Sequence, residues 1–260
     1  MEPVLKDKRG LILGVANQRS LAWHVAKSAA KQGARLGITY QNERFASRVH
    51  DLVQENADDF PEIHTWACDA TEPKQIDQVF KDIDEKWGGL DFVAHCWAYS
   101  PPRALKGPVA DTAWDDYKLT QQVSAHSLIE VCRRAAPLMD GQGSVVTLSY
   151  YGAEKVVPGY NAMGIAKASL EATVRYLAWD LGQKGVRVNA ISAGPVNTLS
   201  ARGVPNFVQM MNEHAEKSPL GRNVETAEIG NTSAFLFSTW ASGITGQVLY
   251  VDAGYSIMGT

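Results

Sequence analysis

Apolar positions along the chain follow two alternating rhythms. Residues 10–15 (GLILGV), 35–40 (RLGITY), 63–68, 90–94, 144–148, 186–191 and 247–251 form short, largely apolar runs rich in β-branched side chains. Runs of this kind read as strands buried on both faces. Between them, apolar residues recur every three or four positions over 21–32, 44–54, 73–87, 124–136, 160–181 and 226–238. That spacing puts an apolar stripe on one side of a helix. Gly33 closes the first helix, and Pro73 opens the third where its missing N–H costs nothing. A Pro-rich segment at 100–108 interrupts the rhythm.

Strands that alternate with helices and are apolar throughout imply a parallel sheet covered on both faces. The expected fold is therefore α/β: a Rossmann-type doubly wound sheet of seven mainly parallel strands, with residues 1–260 forming one dinucleotide-binding catalytic domain. Ligands of such sheets bind beyond the carboxyl ends of the strands. Chemistry is accordingly expected in residues 14–21, 40–44, 69–70, 95–100, 149–160 and 192–218.

Composition narrows the function. The 260 residues are 45% hydrophobic and 20% charged, with a formal net charge of −3. Nothing in that balance attracts nucleic acid or an anionic membrane. The apolar runs are too short to span a bilayer, and residues 1–8 carry charges where a signal peptide needs an apolar core. Cys68, Cys96 and Cys132 are odd in number and widely spaced, which favours a reducing cytoplasm. The six histidines form no pair at zinc-ligand spacing, so no metal site is expected.

The first strand runs into Gly14-Val-Ala-Asn-Gln-Arg-Ser-Leu-Ala22, which has one glycine and no GxGxxG. Gly14 permits a tight turn and close backbone approach. Ser20 stands where it can cap the next helix, whose first N–H groups suit a diphosphate. This turn alone fits an ordinary strand–helix connection equally well. At the end of the second strand, Gln41 can bond ribose hydroxyls and brings no positive charge, which leans towards NADH; Arg44 nearby keeps NADPH open. Asp69 is placed either for an adenine amino group or as a helix cap ahead of Pro73.

The fifth strand leads into two Tyr/Lys pairs. Tyr151 and Lys155 have the YxxxK spacing of many ketone reductases, but they precede Pro158-Gly159 and sit in a loop. Tyr160 and Lys167 are read on the following helix. Seven residues are about 20° short of two turns, so both project from one face. A phenol beside a cation, its pKa lowered, can donate to a carbonyl oxygen that gains charge.

Taken together, these stretches resemble the enoyl-acyl-carrier-protein reductases, the divergent NADH-using branch of the short-chain dehydrogenase/reductase superfamily. The similarity rests on Gly14-x5-Ser20-x-Ala22, Tyr40-Gln41-Asn42, Cys68-Asp69, Leu148-Ser-Tyr150-x-Gly152-Ala-Glu, Tyr160-x6-Lys167-Ala-Ser-Leu-Glu171, the run from Gly185 to Pro195, Thr198-Leu199 and Val251-Asp-Ala-Gly-Tyr-Ser-Ile257, essentially the whole chain. The resemblance implies that Tyr160 stabilises an enolate, that Lys167 anchors the nicotinamide ribose, and that Tyr150 is a second active-site tyrosine. It implies a cofactor site of Gly14, Ser20, Leu21, Gln41, Asp69, Ala70, Trp97, Val196, Asn197, Thr198, Leu199 and Ser200. It implies an acyl site with Ser100, Met163, Val204 and Phe207, and a substrate loop or helix at about 198–218 that carries Met210 and Met211; a helix packed on the core explains those apolar side chains equally well. It further implies an acyl-carrier-protein-linked enoyl substrate and a homotetramer.

Two positions depart from the family pattern. Trp97 replaces a small aliphatic residue, so it either stacks on the cofactor, narrows the acyl pocket, or packs in the core behind the site. His126 replaces a tyrosine. Two other functions stay open on the sequence: a carbonyl or alcohol oxidoreductase that uses Tyr151 and Lys155, and a non-catalytic NADH-binding regulator.

Overall fold

A computed structural model describes residues 2–60, 62–198 and 207–259. Within them the chain runs β1 (Arg9–Leu13), α1 (Leu21–Lys31), β2 (Arg35–Tyr40), α2 (Glu43–Glu55), β3 (Ile63–Ala67), α3 (Pro73–Trp87), β4 (Phe92–His95), α4 (Trp114–Gln121), α5 (Ser127–Ala135), β5 (Ser144–Ser149), α6 (Asn161–Gly182), β6 (Arg187–Ala193), α7 (Phe207–Lys217), α8 (Thr226–Phe237) and β7 (Val248–Val251). The strands form one sheet in the order β3-β2-β1-β4-β5-β6-β7, and every adjacent pair is parallel.

Alternation along β1 divides the core in two. Leu11 and Leu13 face one side, where they pack with Ile76 and Ile83 of α3, Leu128 of α5 and Leu170 of α6. Ile12 faces the other side, with Trp23 of α1 and Ile229 and Leu236 of α8. Each strand thus buries both faces, which is why its apolar run is unbroken. Chain order reverses between β1 and β4, so a crevice opens above their carboxyl ends.

Element boundaries agree with the sequence reading to within about two residues, except between β4 and β5. The helix expected at 124–136 is one part of a longer helical stretch: α4, a π-helical turn over Gln122–His126, then α5. Helix α4 buries only Asp116 and Thr120 and exposes Trp114, so it carries no apolar stripe to read. His126 ends the π-helical turn with its side chain exposed. Residues 207–217, within the expected substrate segment, are helical.

His95 closes β4 and is fully buried, held between the hydroxyls of Thr147 (2.9 Å) and Ser127 (2.8 Å). Burial, reinforced by the charge of Lys167, lowers its pKa from 6.5 to about 3. The unfolded chain therefore binds one more proton than the folded chain between those values. This contribution to stability is complete above pH 6.5 and is lost as pH falls towards 3. Thermal unfolding is expected to show Tm dropping through this window, with a shallower drop in His95→Gln. An unchanged slope in the variant would remove His95 from the account.

Candidate active site

The crevice is built first by the turn after β1. Gly14 has φ +92°, and a Cβ there would stand 2.9 Å from Trp97 Cδ1 and 3.2 Å from the Cys96 carbonyl oxygen. Only glycine fits both the conformation and the gap. Thr39 of β2 fixes the turn by accepting the N–H groups of Gly14 (3.2 Å) and Val15 (2.8 Å) through its hydroxyl and carbonyl oxygens. Ser20 holds the N-cap position of α1 but does not cap it with its side chain. Its hydroxyl turns back, donates to the Asn17 carbonyl at 2.5 Å and braces the loop. The expected cap is thus corrected: the serine stiffens the turn, and the first N–H groups of α1 keep their capacity for a ligand.

Gln41 and Asp69 meet at the ends of β2 and β3. Gln41 Nε2 donates to Asp69 Oδ2 at 3.0 Å, while Asp69 Oδ1 accepts from the N–H (2.8 Å) and hydroxyl (2.6 Å) of Thr71. Burial raises the Asp69 pKa, but the Thr71 and Gln41 donors outweigh it and hold the carboxyl below its ordinary range. The N-cap of α3 is Glu72, so Asp69 is no helix cap. Asn42 caps α2 by accepting the Arg44 N–H at 3.1 Å, and Arg44 itself is exposed.

Helix α6 and the exit of β5 carry the remaining groups. Tyr160 occupies the N-cap position, one residue before the helix on which it was expected. Its ring lies edge-on to Tyr150, with centroids 5.0 Å apart. Gly152 makes room for both rings, since a Cβ there would stand 2.5 Å from Tyr160 Cδ1 and 3.3 Å from Tyr150 Cδ1. Lys167 is buried on the apolar stripe of α6 and donates to the Leu148 carbonyl at 2.7 Å. One turn on, Glu171 accepts from the Ser149 hydroxyl at 2.5 Å. Two side chains of α6 thus grip consecutive residues of β5 just before Tyr150.

The electrostatics differ from the sequence expectation in one respect. Tyr160 was expected to have its pKa lowered by a neighbouring cation. Burial instead raises it well above the ordinary value, with Tyr150 and Glu171 adding to the shift. Tyr160 is therefore a neutral phenol, a donor that keeps its proton. Tyr150 is raised to about 12, by burial and by Tyr255. Burial lowers Lys167 to about 8, opposed by the Cys96 thiol and Glu171.

These elements enclose a cavity of about 460 Å³. It brings together Gly14, Ser20, Leu21, Trp97, Ser100, Tyr150, Tyr160, Met163, Lys167, Val196, Thr198 and Phe207. Gln41, Asp69, Ala70 and Asn197 are not on its wall: the first two form the pair just described, Ala70 packs half-buried on the core, and Asn197 is exposed after β6. Leu199, Ser200 and Val204 lie outside the described residues. Tyr151 and Lys155 do not line the cavity; Tyr151 packs against Tyr250 and Tyr255, and Lys155 is exposed.

Residues 14–256 match the family model described as enoyl-(acyl carrier protein) reductase. The chain belongs to this family. It is 46% identical over 257 residues, 99% of this chain and 97% of the relative, to the enoyl-[acyl-carrier-protein] reductase [NADH] FabI of Rickettsia felis. Among solved structures, the Bacillus cereus enoyl-acyl carrier protein reductase, crystallised with NADP+ and indole naphthyridinone, superimposes with a TM-score of 0.96 at 45% identity over the full length of both chains. The Anaplasma phagocytophilum reductase, crystallised with NAD, gives 0.94 at 42% identity, covering 100% of this chain and 98% of that one.

In this enoyl reductase Trp97 packs in the core behind the site, one of the three readings of it, and it also borders the cavity. The indole is 7% exposed, belongs to the core cluster that includes Leu128, and lies edge-on to His95 at 5.8 Å. Its Cδ1 edge reaches the Gly14 turn and forms part of the cavity wall. The sequence reading missed Leu105, which packs with Met163, Ala166 and Tyr160 to close one side. Its signal was an isolated leucine in the Pro-rich segment. It also gave Ser149 and Glu171 no role, although an acid on the buried stripe of α6 was a visible anomaly.

Proposed function

We propose that this chain reduces trans-2-enoyl thioesters carried on acyl-carrier protein to saturated acyl thioesters with NADH, the last step of the fatty-acid elongation cycle. The observation that carries this reading is the neutral Tyr160 phenol, held edge-on by Tyr150, in one cavity with Lys167 and the Gly14 turn. The cradle at Gly14 and the open N-terminus of α1 fit a dinucleotide. Gly14, Ser20, Leu21 and Ala22 would hold its diphosphate, Gln41 and Asp69 its adenosine, and Lys167, Val196 and Thr198 the nicotinamide end. Leu199 and Ser200 extend this assignment. When bound, the dihydronicotinamide supplies a hydride to the β-carbon of the substrate.

The protein's own task is to manage the charge that then appears on the thioester oxygen. Tyr160 donates a hydrogen bond to that oxygen, and its high pKa keeps the proton on the phenol. Tyr150 supports the Tyr160 ring edge-on. Lys167, tied to Leu148, keeps a positive charge at a fixed place. Ser100, Met163, Phe207 and Val204 surround the acyl chain. A single catalytic domain, a homotetramer and a cytoplasmic location complete the proposal. Exposed Tyr176 and Trp179 on α6 support self-association. Among the described residues no helix is long and apolar enough to cross a membrane.

Steady-state oxidation of NADH and NADPH with crotonyl and dodecenoyl thioesters tests the reading. NADH is expected to be oxidised with both substrates and faster than NADPH, because the polar Gln41–Asp69 pair presents an anion to a 2′-phosphate. Absence of activity with either thioester would favour the NADH-binding regulator. A ketone reductase using Tyr151 finds no support in a residue packed away from the cavity.

A further inference from the structure

Helix α7 faces the rest of the molecule through a stripe of Phe207, Met210 and His214, spaced over two turns, and its Met211 carbonyl accepts from Asn223 Nδ2 at 3.0 Å. Phe207 and Met210 line the cavity, and the Tyr150 hydroxyl donates to Met210 Sδ at 3.5 Å. One turn on, His214 is 4% exposed and stacks face to face on Tyr255, with centroids 3.6 Å apart and planes 17° from parallel. The chain after α7 is seated on the same segment: Gly254 packs on Pro219, and the Leu220 N–H donates to the Ala253 carbonyl. Tyr255 is in turn held by the edge of Tyr151 at 5.8 Å, and Asp252 accepts the N–H groups of Gly254 (2.9 Å) and Ser256 (2.8 Å). The inner end of α7 is therefore anchored, while its outer end forms cavity wall.

We infer that the His214–Tyr255 stack is the anchor that sets the height of α7 above the cavity, making His214 a positioning residue for long acyl chains. The inference rests on the enoyl-reductase reading. A four-carbon acyl group ends close to Tyr160, whereas a twelve-carbon tail must run on past Met163 to Phe207 and Met210. Moving α7 changes the second environment most, and reaches the first only through the long Tyr150–Met210 hydrogen bond. Burial keeps His214 uncharged at neutral pH, its pKa lowered to about 4 against the pull of Asp252, so the stack is between neutral rings.

The test compares His214→Leu, which removes the ring but keeps the bulk, with His214→Phe, which keeps a ring. Leucine is expected to raise KM for dodecenoyl thioester about tenfold, to leave KM for crotonyl thioester within about twofold, and to leave kcat for both little changed. Phenylalanine is expected to restore the dodecenoyl KM. An equal rise with both substrates, or no rise with the long one, would overturn the inference. If His214→Leu does not fold, Tyr255→Leu against Tyr255→Phe carries the same comparison. If the unaltered enzyme oxidises NADH with neither thioester, the reductase reading fails by itself. Amide exchange over residues 207–217 then decides the anchor: it should quicken at least tenfold in His214→Leu and not in His214→Phe, and equal rates in all three proteins defeat it.

Discussion

Replacing Tyr160 with phenylalanine is expected to lower kcat by about 10²–10³-fold while the affinity for NADH changes little. Removing one preorganised donor to a developing oxyanion typically has an effect of that size, about 2.7–4 kcal/mol of barrier. The geometry explains why it should fall on turnover. Tyr160 stands at the N-cap of α6, against Tyr150 and Gly152, and has no hydrogen bond that orders the Gly14 turn. Phenylalanine keeps the ring, its contact with Tyr150 and its packing on Met163. Only the donor is lost. Steady-state rates with crotonyl thioester, set beside NADH titration by fluorescence, check the split. Undiminished turnover would remove Tyr160 from the chemistry.

Replacing Lys167 with alanine is expected to weaken both cofactor affinity and turnover, each by at least about tenfold. The ammonium is buried, and the Leu148 carbonyl at 2.7 Å is its hydrogen-bond partner. Losing it removes a buried charge from the cavity wall and leaves the half-buried Leu148 carbonyl without this donor. Lys167→Met separates these effects, because it retains the stem but not the charge. Because the Lys167 pKa is lowered to about 8, the cationic fraction declines as pH rises through that value. Activity that depends on the cation should decline with it. NADH titration, kcat and a pH profile of kcat/KM test this, and an unchanged NADH affinity in the alanine variant would contradict the ribose-anchoring role.

Much of the fold could be read before the structure because parallel strands buried on both sides leave unbroken apolar runs, as in residues 10–13 and 188–191. The region between β4 and β5 could not. Helix α4 buries two polar residues where an apolar stripe would announce it, and the π-helical turn at Gln122–His126 shifts the phase of α5 relative to α4. In the site, Tyr160 and Lys167 were legible because their spacing puts both on one face of the helix after the fifth strand, whereas Tyr151 and Lys155 precede Pro158-Gly159 in a loop. The direction of the Tyr160 pKa was not, because it depends on how the folded chain desolvates the phenol and brings Tyr150 and Glu171 near it. The fate of Ser20 was hidden for a related reason. A serine before a helix offers its hydroxyl to two competitors, and loop geometry alone decides that Asn17 receives it.

Strand β1 lies between β2 and β4, and the cavity opens where the sheet changes direction. Its walls come from the turn at Gly14, the β4 exit from Cys96 onward, the β5–α6 junction, the β6 exit at residues 193–196 and 198, and Phe207 and Met210 of α7. No single stretch of chain contains even half of the site. In folding, such contacts form only after long loops have closed, and parallel sheets are correspondingly slow to assemble. Helix formation is local and fast, but the crevice exists only once β4 has docked beside β1. A refolding chain therefore regains its helical signal well before it regains a binding site, and cofactor capture marks the completion of the sheet.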